Sequence, residues 1–499
     1  MDDRTRRLLA RARSAGERTP DDDDEPMLLA WLACVGPDDP PSVNRYLTEI
    51  WRERVDLWET YPGLFLDPAQ RIGFLQWAEA FASEECGAPP AVLPPTDRQT
   101  TLASDAAVPL QPGVTVVGYF RSTFGIAAAA RRLAELLHKA GEPTHLRSYD
   151  HTSAVSTGLV VDNDRGGLDL PAYDVTILCV NGLETPRTVR ALGPAALTGR
   201  HRIGLWFWET EFFPDVQAAG FAHVDEVWVT SEFVRNAVGA RAPAHIRIEI
   251  VPLGTSLLEI TASDVADIRA RIGVHKPTRI AGFTFDHSSR LARKNPIAVV
   301  EAFVRAIPTP DPQRLQLVIK TLNASQLPEQ HATLLAATNV RTDIRVIDAA
   351  FSDREQQAFI QSLDCYISLP RSEGYGLTML EAMARGIPVI ATGYSGHLAF
   401  MDVENSWLIP YDRIAVVGSL IDPADPYTTV PGSFWADPDV DEAARALKEI
   451  LAGGPGVEAR IERARSDALN LIDGRGPVDW VRNRLAEIRS DRRTEELHR

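Results

Sequence analysis

The sequence predicts an α/β chain of two facing, doubly wound parallel-sheet domains with a helical extension in front of them. Two observations carry this. Short apolar runs alternate with helical stretches in two successive rounds, from about 109 to 256 and again from about 257 to 425. Ahead of them, residues 27–81 follow a helical period and hold Trp31, Trp51, Trp58 and Trp77.

At 499 residues the chain is too long for one core and implies two or three domains. A net charge of −16 argues against nucleic acid as partner. Residues 1–105 carry 20 acidic against 11 basic side chains, so the rest is only mildly acidic and can still receive an anion. Cys34, Cys86, Cys179 and Cys365 are far apart, which suggests neither a disulfide framework nor a zinc site. The first residues lack the apolar core of a signal peptide, and no run approaches the roughly 18 apolar residues of a membrane span. The expectation is a cytoplasmic protein.

Residues 1–26, with Asp21–Asp24 in a block, read as an acidic flexible tail, and 27–108 as helices ending in the proline-rich GAPPAVLPPTD linker. Tyr46, Leu47, Ile50 and Arg54 share one helical face, as do Phe74, Trp77, Ala78 and Phe81. The first α/β domain (109–256) takes its strands from VTVVGYF, YDVTILCVNG, HRIGLWFWE, VDEVWVTS and IRIEIVPLG. The second (257–425) takes TRIAGFTFD, RLQLVIKT, DIRVIDA, CYISLP and IPVIATG. Residues 426–499 read as helices packing back across the domains.

The chemistry concentrates in ISLPRSEGYGLTMLEAMARGIPVIATGYSG, residues 367–396. A strand ends at Pro370, and the turn Glu373-Gly374-Tyr375-Gly376 leads into a helix. Glycines admit a ligand close to the backbone, and the free N–H groups of the helix start, with its dipole, favour a phosphate. Glu373 and Glu381 frame this anion site. Carboxylates beside a diphosphate would repel it, so they suit sugar and ribose hydroxyls on either side. The bland alternative is a surface loop before an ordinary helix.

Glu373-x7-Glu381, with Gly-Tyr-Gly-Leu after the first Glu and Glu-Ala-Met-Ala-x-Gly-x-Pro-Val through the second, closely resembles the family-four retaining glycosyltransferases. The resemblance runs from about 112 to 450 and implies the GT-B fold, with a nucleotide-diphosphate sugar bound between two Rossmann-like domains. It implies that Glu373 meets donor-sugar hydroxyls, that Glu381 meets the ribose, and that the backbone of Gly374, Tyr375, Gly376 and Leu377 holds sugar and diphosphate. In FTFDHSSRLARKNPIAVVEAF (283–303), Lys294 falls on the family's clamp lysine. The usual arginine position falls on Ser288, so that role passes to Arg290, Arg293 or the hydroxyl of Ser289. Glu373, Lys294 and Arg293 are the candidate catalytic residues. Lys320, ending LVIK, is a further donor candidate, and the base is expected near Asp348 to Phe351.

GYFRSTFGIAAAARR (118–132) resembles the family's first glycine loop, with Gly125 nearest the donor phosphate. Asn181 and Glu209, each ending an apolar run, are candidates for meeting the acceptor or the donor sugar. Asp162-Asn163-Asp164 copies a metal motif of another transferase fold and is read as a loop. His287 and His397 read as isolated, and no metal or other cofactor is expected. Rival readings are an epimerase or phosphorylase of the same fold, and a non-catalytic sugar-nucleotide binder. A third places a transferase at a membrane surface through Arg131, Arg132 and Lys139. The helical extension is a candidate surface for a protein partner or a second copy.

Overall fold

The computed structural model describes residues 3–14, 19–21, 24–35, 43–65, 68–94, 110–122, 124–149, 172–192, 197–339, 341–416 and 432–497. Asp162, Asn163 and Asp164 lie outside them, as does the end of the expected linker. The chain divides into two units. One holds Met1–Gln111, Asp150–Val155 and Pro186–Thr198; the other holds Pro112–Tyr149, Ser156–Thr185 and Gly199–Arg499.

The first unit contains helices α1 (Asp3–Ser14), α2 (Glu25–Leu32), α3 (Arg45–Glu53), α4 (Val55–Thr60) and α5 (Pro68–Cys86). Tyr46, Leu47, Ile50, Phe74, Trp77, Ala78 and Phe81 are buried, which is the apolar face expected from their spacing. The expected flexible tail is wrong for Asp3–Ser14. Leu8, Leu9 and Ala12 form an apolar stripe that is buried in this unit, and Arg11 forks onto Glu49 at 2.7 and 2.8 Å. The charge density of the segment hid that short stripe.

In the second unit come β1 (Gln111–Gly118), α6 (Gly125–Lys139), β2 (Thr144–Ser148), β3 (Tyr173–Cys179) and α7 (Thr185–Leu192). They are followed by β4 (His201–Leu205), α8 (Asp215–Ala218), β5 (Glu226–Val229), α9 (Glu232–Gly239) and β6 (Arg247–Ile250). From Pro186 onward α7 belongs to the first unit, where Arg190 donates to Ala80 O at 3.0 Å. The strands form one sheet in the order β2-β1-β3-β4-β5-β6. β2 was not expected: it lies at the edge, its residues are all half-buried, and it carries no apolar run.

A second round follows: α10 (Ala262–Arg271), β7 (Arg279–Asp286), α11 (Leu291–Lys294), α12 (Pro296–Ala306), β8 (Leu315–Leu322), α13 (Pro328–Thr338) and β9 (Ile344–Asp348). Then come α14 (Asp353–Gln361), β10 (Cys365–Ser368), α15 (Leu377–Ala384), β11 (Val389–Thr392) and β12 (Trp407–Ile409). Their parallel sheet has the order β12-β11-β10-β7-β8-β9. The order reverses between β7 and β10, and a doubly wound sheet binds ligands outside the carboxyl ends of such strands. Those ends are the segments after Asp286 and Ser368.

The C-terminal region expected to be helical also holds a strand. β13 (Tyr411–Ala415) pairs antiparallel with β14 (Phe434–Pro438) before α16 (Val440–Ala452), α17 (Pro455–Asp473) and α18 (Arg475–Leu497). α18 is tied to the first sheet by buried charge: Arg484 meets Glu226 at 2.5 and 2.8 Å, and Trp228 Nε1 donates to the same carboxylate. Arg489 meets Glu142 and Asp174. The three basic residues considered for lipid also make contacts within the fold. Arg132 is buried and donates to Leu253 O and Ile472 O, Arg131 donates to Phe120 O and Ser122 O, and Lys139 pairs with Asp473. Arg132 thereby ties α6 to the segment after β6 and to α17. Among the described residues no helix is long and apolar enough to cross a membrane.

Candidate active site

The turn after β10 is built from backbone first. Gly376 precedes α15 with φ 96°, a left-handed conformation that glycine takes without strain. Among the described residues no side chain caps α15, so the N–H groups of Leu377 and Thr378 at its start remain available. Gly396 lets a second loop close onto this turn, since a Cβ there would stand 1.9 Å from Gly374 O. Ser395 takes φ 81° without being glycine, and its hydroxyl accepts from Glu373 N at 2.8 Å. The sequence reading missed Ser395, because side chain and strained backbone act together only in the folded loop.

Glu373 is buried, and Lys294 Nζ donates to its Oε1 at 2.5 Å. Arg293, also buried, donates to Ser372 O at 3.1 Å and lies 3.5 Å from Glu373 Oε2. Its other edge is 3.9 Å from Glu209 Oε1, on the segment after β4. Burial pushes the Glu373 carboxyl up, but Lys294 and Arg293 outweigh it and hold the group below its ordinary range. The three candidate catalytic residues therefore form one charge cluster, with Glu373 and Arg293 buried and Lys294 half-buried, rather than separate contacts.

Glu381 differs. Its Oε1 accepts from Thr255 Oγ1 at 3.2 Å, while Oε2 is shielded and has no partner among the described residues. Burial raises its carboxyl to about 7, against smaller opposing effects of Thr255 and Arg385. A shielded carboxylate oxygen without a donor is suited to an incoming hydroxyl.

The remaining candidates separate by position. Lys320 is buried at the end of β8, 5.1 Å from the centre of the Phe351 ring, and burial lowers it to about 8. The side chain of Tyr375 is buried against Phe400, so only its backbone is available to a ligand at the turn. Leu377 opens α15 and is half-buried. Gly125 opens α6, with nothing within 4 Å of where a Cβ would stand. Ser289 O accepts from Arg293 Nε at 3.2 Å, and Arg290 takes φ 69° in the same loop. Asn181 uses its side-chain oxygen on Phe207 N at 2.9 Å, which makes it a strut of the first sheet. His397, read as isolated, packs against the turn. It is buried beside Gly376, with Nε2 2.6 Å from Thr392 O.

Two doubly wound sheets, an anion-ready turn at the switch point of the second, and carboxylates on either side of it define the GT-B architecture of glycosyltransferases. Residues 289–470 match the family described as Family 4 Glycosyltransferase in conflict systems, so this part of the chain is similar to the family-four glycosyltransferases. The chain is 28% identical over 183 residues to the alpha-monoglucosyldiacylglycerol synthase of Streptococcus pneumoniae, covering 35% of this chain and 39% of that one. It is 28% identical over 169 residues to the D-inositol 3-phosphate glycosyltransferase of Mycobacteroides abscessus, covering 34% and 36% respectively. The matched part thus spans less than two-fifths of the length of these relatives. Among solved structures, Anabaena HepE in complex with UDP and glucose matches with a TM-score of 0.52 at 13% identity, over 76% of this chain and all of the other. Sucrose-phosphate synthase from Thermosynechococcus elongatus matches with a TM-score of 0.53 at 15% identity over the same shares. These likenesses show the fold.

Proposed function

We propose that the protein is a retaining, metal-independent glycosyltransferase that moves a sugar from a nucleotide-diphosphate sugar to a hydroxyl acceptor. The observation that carries this reading is the Glu373–Lys294–Arg293 cluster beside the uncapped start of α15. The diphosphate sits on the N–H groups of Leu377 and Thr378, the ribose on Glu381, and the base near Phe351 and Lys320. Glu373 takes the sugar hydroxyls.

In the reaction the bond from the anomeric carbon to the diphosphate oxygen breaks, and its electron pair stays on that oxygen. Lys294, Arg293 and the helix start stabilise the developing charge, the role a metal plays elsewhere. The acceptor hydroxyl attacks from the same face, and its proton passes to the leaving phosphate. Glu373 is an unsuitable nucleophile because both its oxygens face cations. That supports retention through front-face attack. Glu209, 3.9 Å from the candidate catalytic Arg293, is the nearer acceptor candidate to that cluster, while the Asn181 side-chain oxygen accepts from Phe207 N. Exposed Trp58, Phe65 and Ile72 support the helical unit as a surface for a protein partner or a second copy.

Thermal shift with UDP, GDP and dTDP identifies the base, and donor turnover in excess chelator, with and without hydroxyl acceptors, tests the reaction. Loss of turnover in chelator that manganese or magnesium restores would overturn metal independence. Donor turnover unaffected by any acceptor would move the protein to the epimerases or phosphorylases.

A further inference from the structure

The loop that carries Arg293 and Lys294 is held by three side chains, one just after β8 and two on α13. Asn323, just after β8, donates through Nδ2 to both carboxylate oxygens of Asp286 at 3.0 Å. On α13, Gln330 Oε1 accepts from Leu291 N at 3.0 Å, and His331 Nδ1 lies 3.2 Å from His287 Nε2. His287 is fully buried, its ring edge-on to Phe285 and His331. Its Nδ1 has no partner among the described residues.

These contacts limit the protons the pair can hold. With His287 neutral and Nε2–H donating to His331 Nδ1, the buried Nδ1 is a bare lone pair. Protonating His331 at Nδ1 sets donor against donor unless His287 changes tautomer. Either that change or protonation of His287 itself places an N–H in a shielded spot with no acceptor, which costs about 1–3 kcal/mol. Asp286, ending the same strand, and Asp348, ending β9, face His287 and favour a proton there. Burial and His331 oppose them, and His287 stays below its ordinary value.

We propose that His331 is a positioning residue: through His287 it holds the 286–295 loop so that Arg293 and Lys294 stand against Glu373, and protonation of the pair releases the loop. The functional half of this inference rests on the reading of that loop as a diphosphate clamp; the loop geometry does not.

The test uses the full ligand-free chain and follows amide exchange of residues 288–295 relative to 299–306 in α12, at pH 7.5 and 5.5. In the wild type the relative exchange of the loop should rise at the lower pH, in the range where imidazoles gain protons. His331→Gln retains an acceptor that does not titrate, so its loop should stay protected at both pH values. His331→Ala should be loose already at pH 7.5. At that fixed pH inorganic diphosphate should bind His331→Ala about tenfold more weakly, the scale of one lost buried hydrogen bond, and His331→Gln within about twofold of wild type. An unchanged loop in His331→Ala, or the wild-type rise persisting in His331→Gln, overturns the inference. The wild-type pH comparison needs no variant, so a misfolded mutant does not rescue it. A loosened loop with unchanged diphosphate affinity would show that the loop is no clamp, and the site reading would fall with the positioning role.

Discussion

Lys294 Nζ lies 2.5 Å from Glu373 Oε1, so the cation assigned to the diphosphate and the carboxylate assigned to the sugar are bonded to each other. A donor that uses both must exchange this bond for its own contacts. Lys294→Ala removes a charge-stabilising donor and leaves Glu373 buried with Arg293 alone. Turnover should fall by roughly 10²–10³. Wild-type turnover in the variant would take Lys294 out of the reaction.

Glu373→Gln should behave in the opposite way toward the bare nucleotide. It removes the partner that occupies Lys294 and Arg293, so nucleoside-diphosphate affinity should tighten by roughly tenfold while sugar transfer is lost. Isothermal calorimetry with the diphosphate measures the first and product formation the second. Weaker diphosphate binding would mean that Glu373 itself meets the nucleotide.

Glu381 connects the site to pH. With its folded value raised from 4.5 to about 7, the native protein holds more protons than the unfolded chain between these limits. Its contribution to stability is therefore greatest at low pH and declines as pH rises toward 7. Glu381→Gln should lose that decline, seen in urea unfolding at pH 5, 6 and 8. The ionised carboxylate is the better acceptor for ribose hydroxyls, so wild-type nucleotide affinity should gain on that of Glu381→Gln between pH 6 and 8. Parallel curves for the two proteins would remove Glu381 from the ribose.

Arg484 and Glu226 are nearly fully shielded, with side-chain exposures of 7% and 1%. Burial alone would raise Glu226, but His201, Arg484 and Trp228 bring it down to about 2. Arg484→Ala leaves that buried charge without its guanidinium, with only His201 and Trp228 beside it, and should cost about 3 kcal/mol in urea unfolding. The pair's contribution is present above the ordinary carboxylate value and disappears as pH falls from there toward 2. A loss below 1 kcal/mol, the level of a surface pair, would show that the tie is solvated.

Where side chains act through local order, the chain could be read directly. Continuous apolar runs such as CYIS and LVIK became central strands because a parallel sheet is covered on both faces. The turn Glu373–Gly376 and the helix after it also follow from adjacent residues. What escaped reading depends on partners distant in the chain. β2 and β14 become strands through a neighbouring edge, and α1 becomes a helix by burying three apolar residues.

The sequence by itself determined the two doubly wound domains, the anion-ready turn and the carboxylates framing it, since each rests on a period or spacing within one segment. Tertiary structure decided how those groups use their charge. It bonded Lys294 to Glu373 across 79 positions, left one oxygen of Glu381 without a partner among the described residues, turned Arg132 inward as a strut, and set His331 beside His287. The reason is physical. A carboxylate, a guanidinium or an imidazole takes its protonation and its partners from burial and from whatever donors the fold brings within about 3 Å, and local spacing specifies neither.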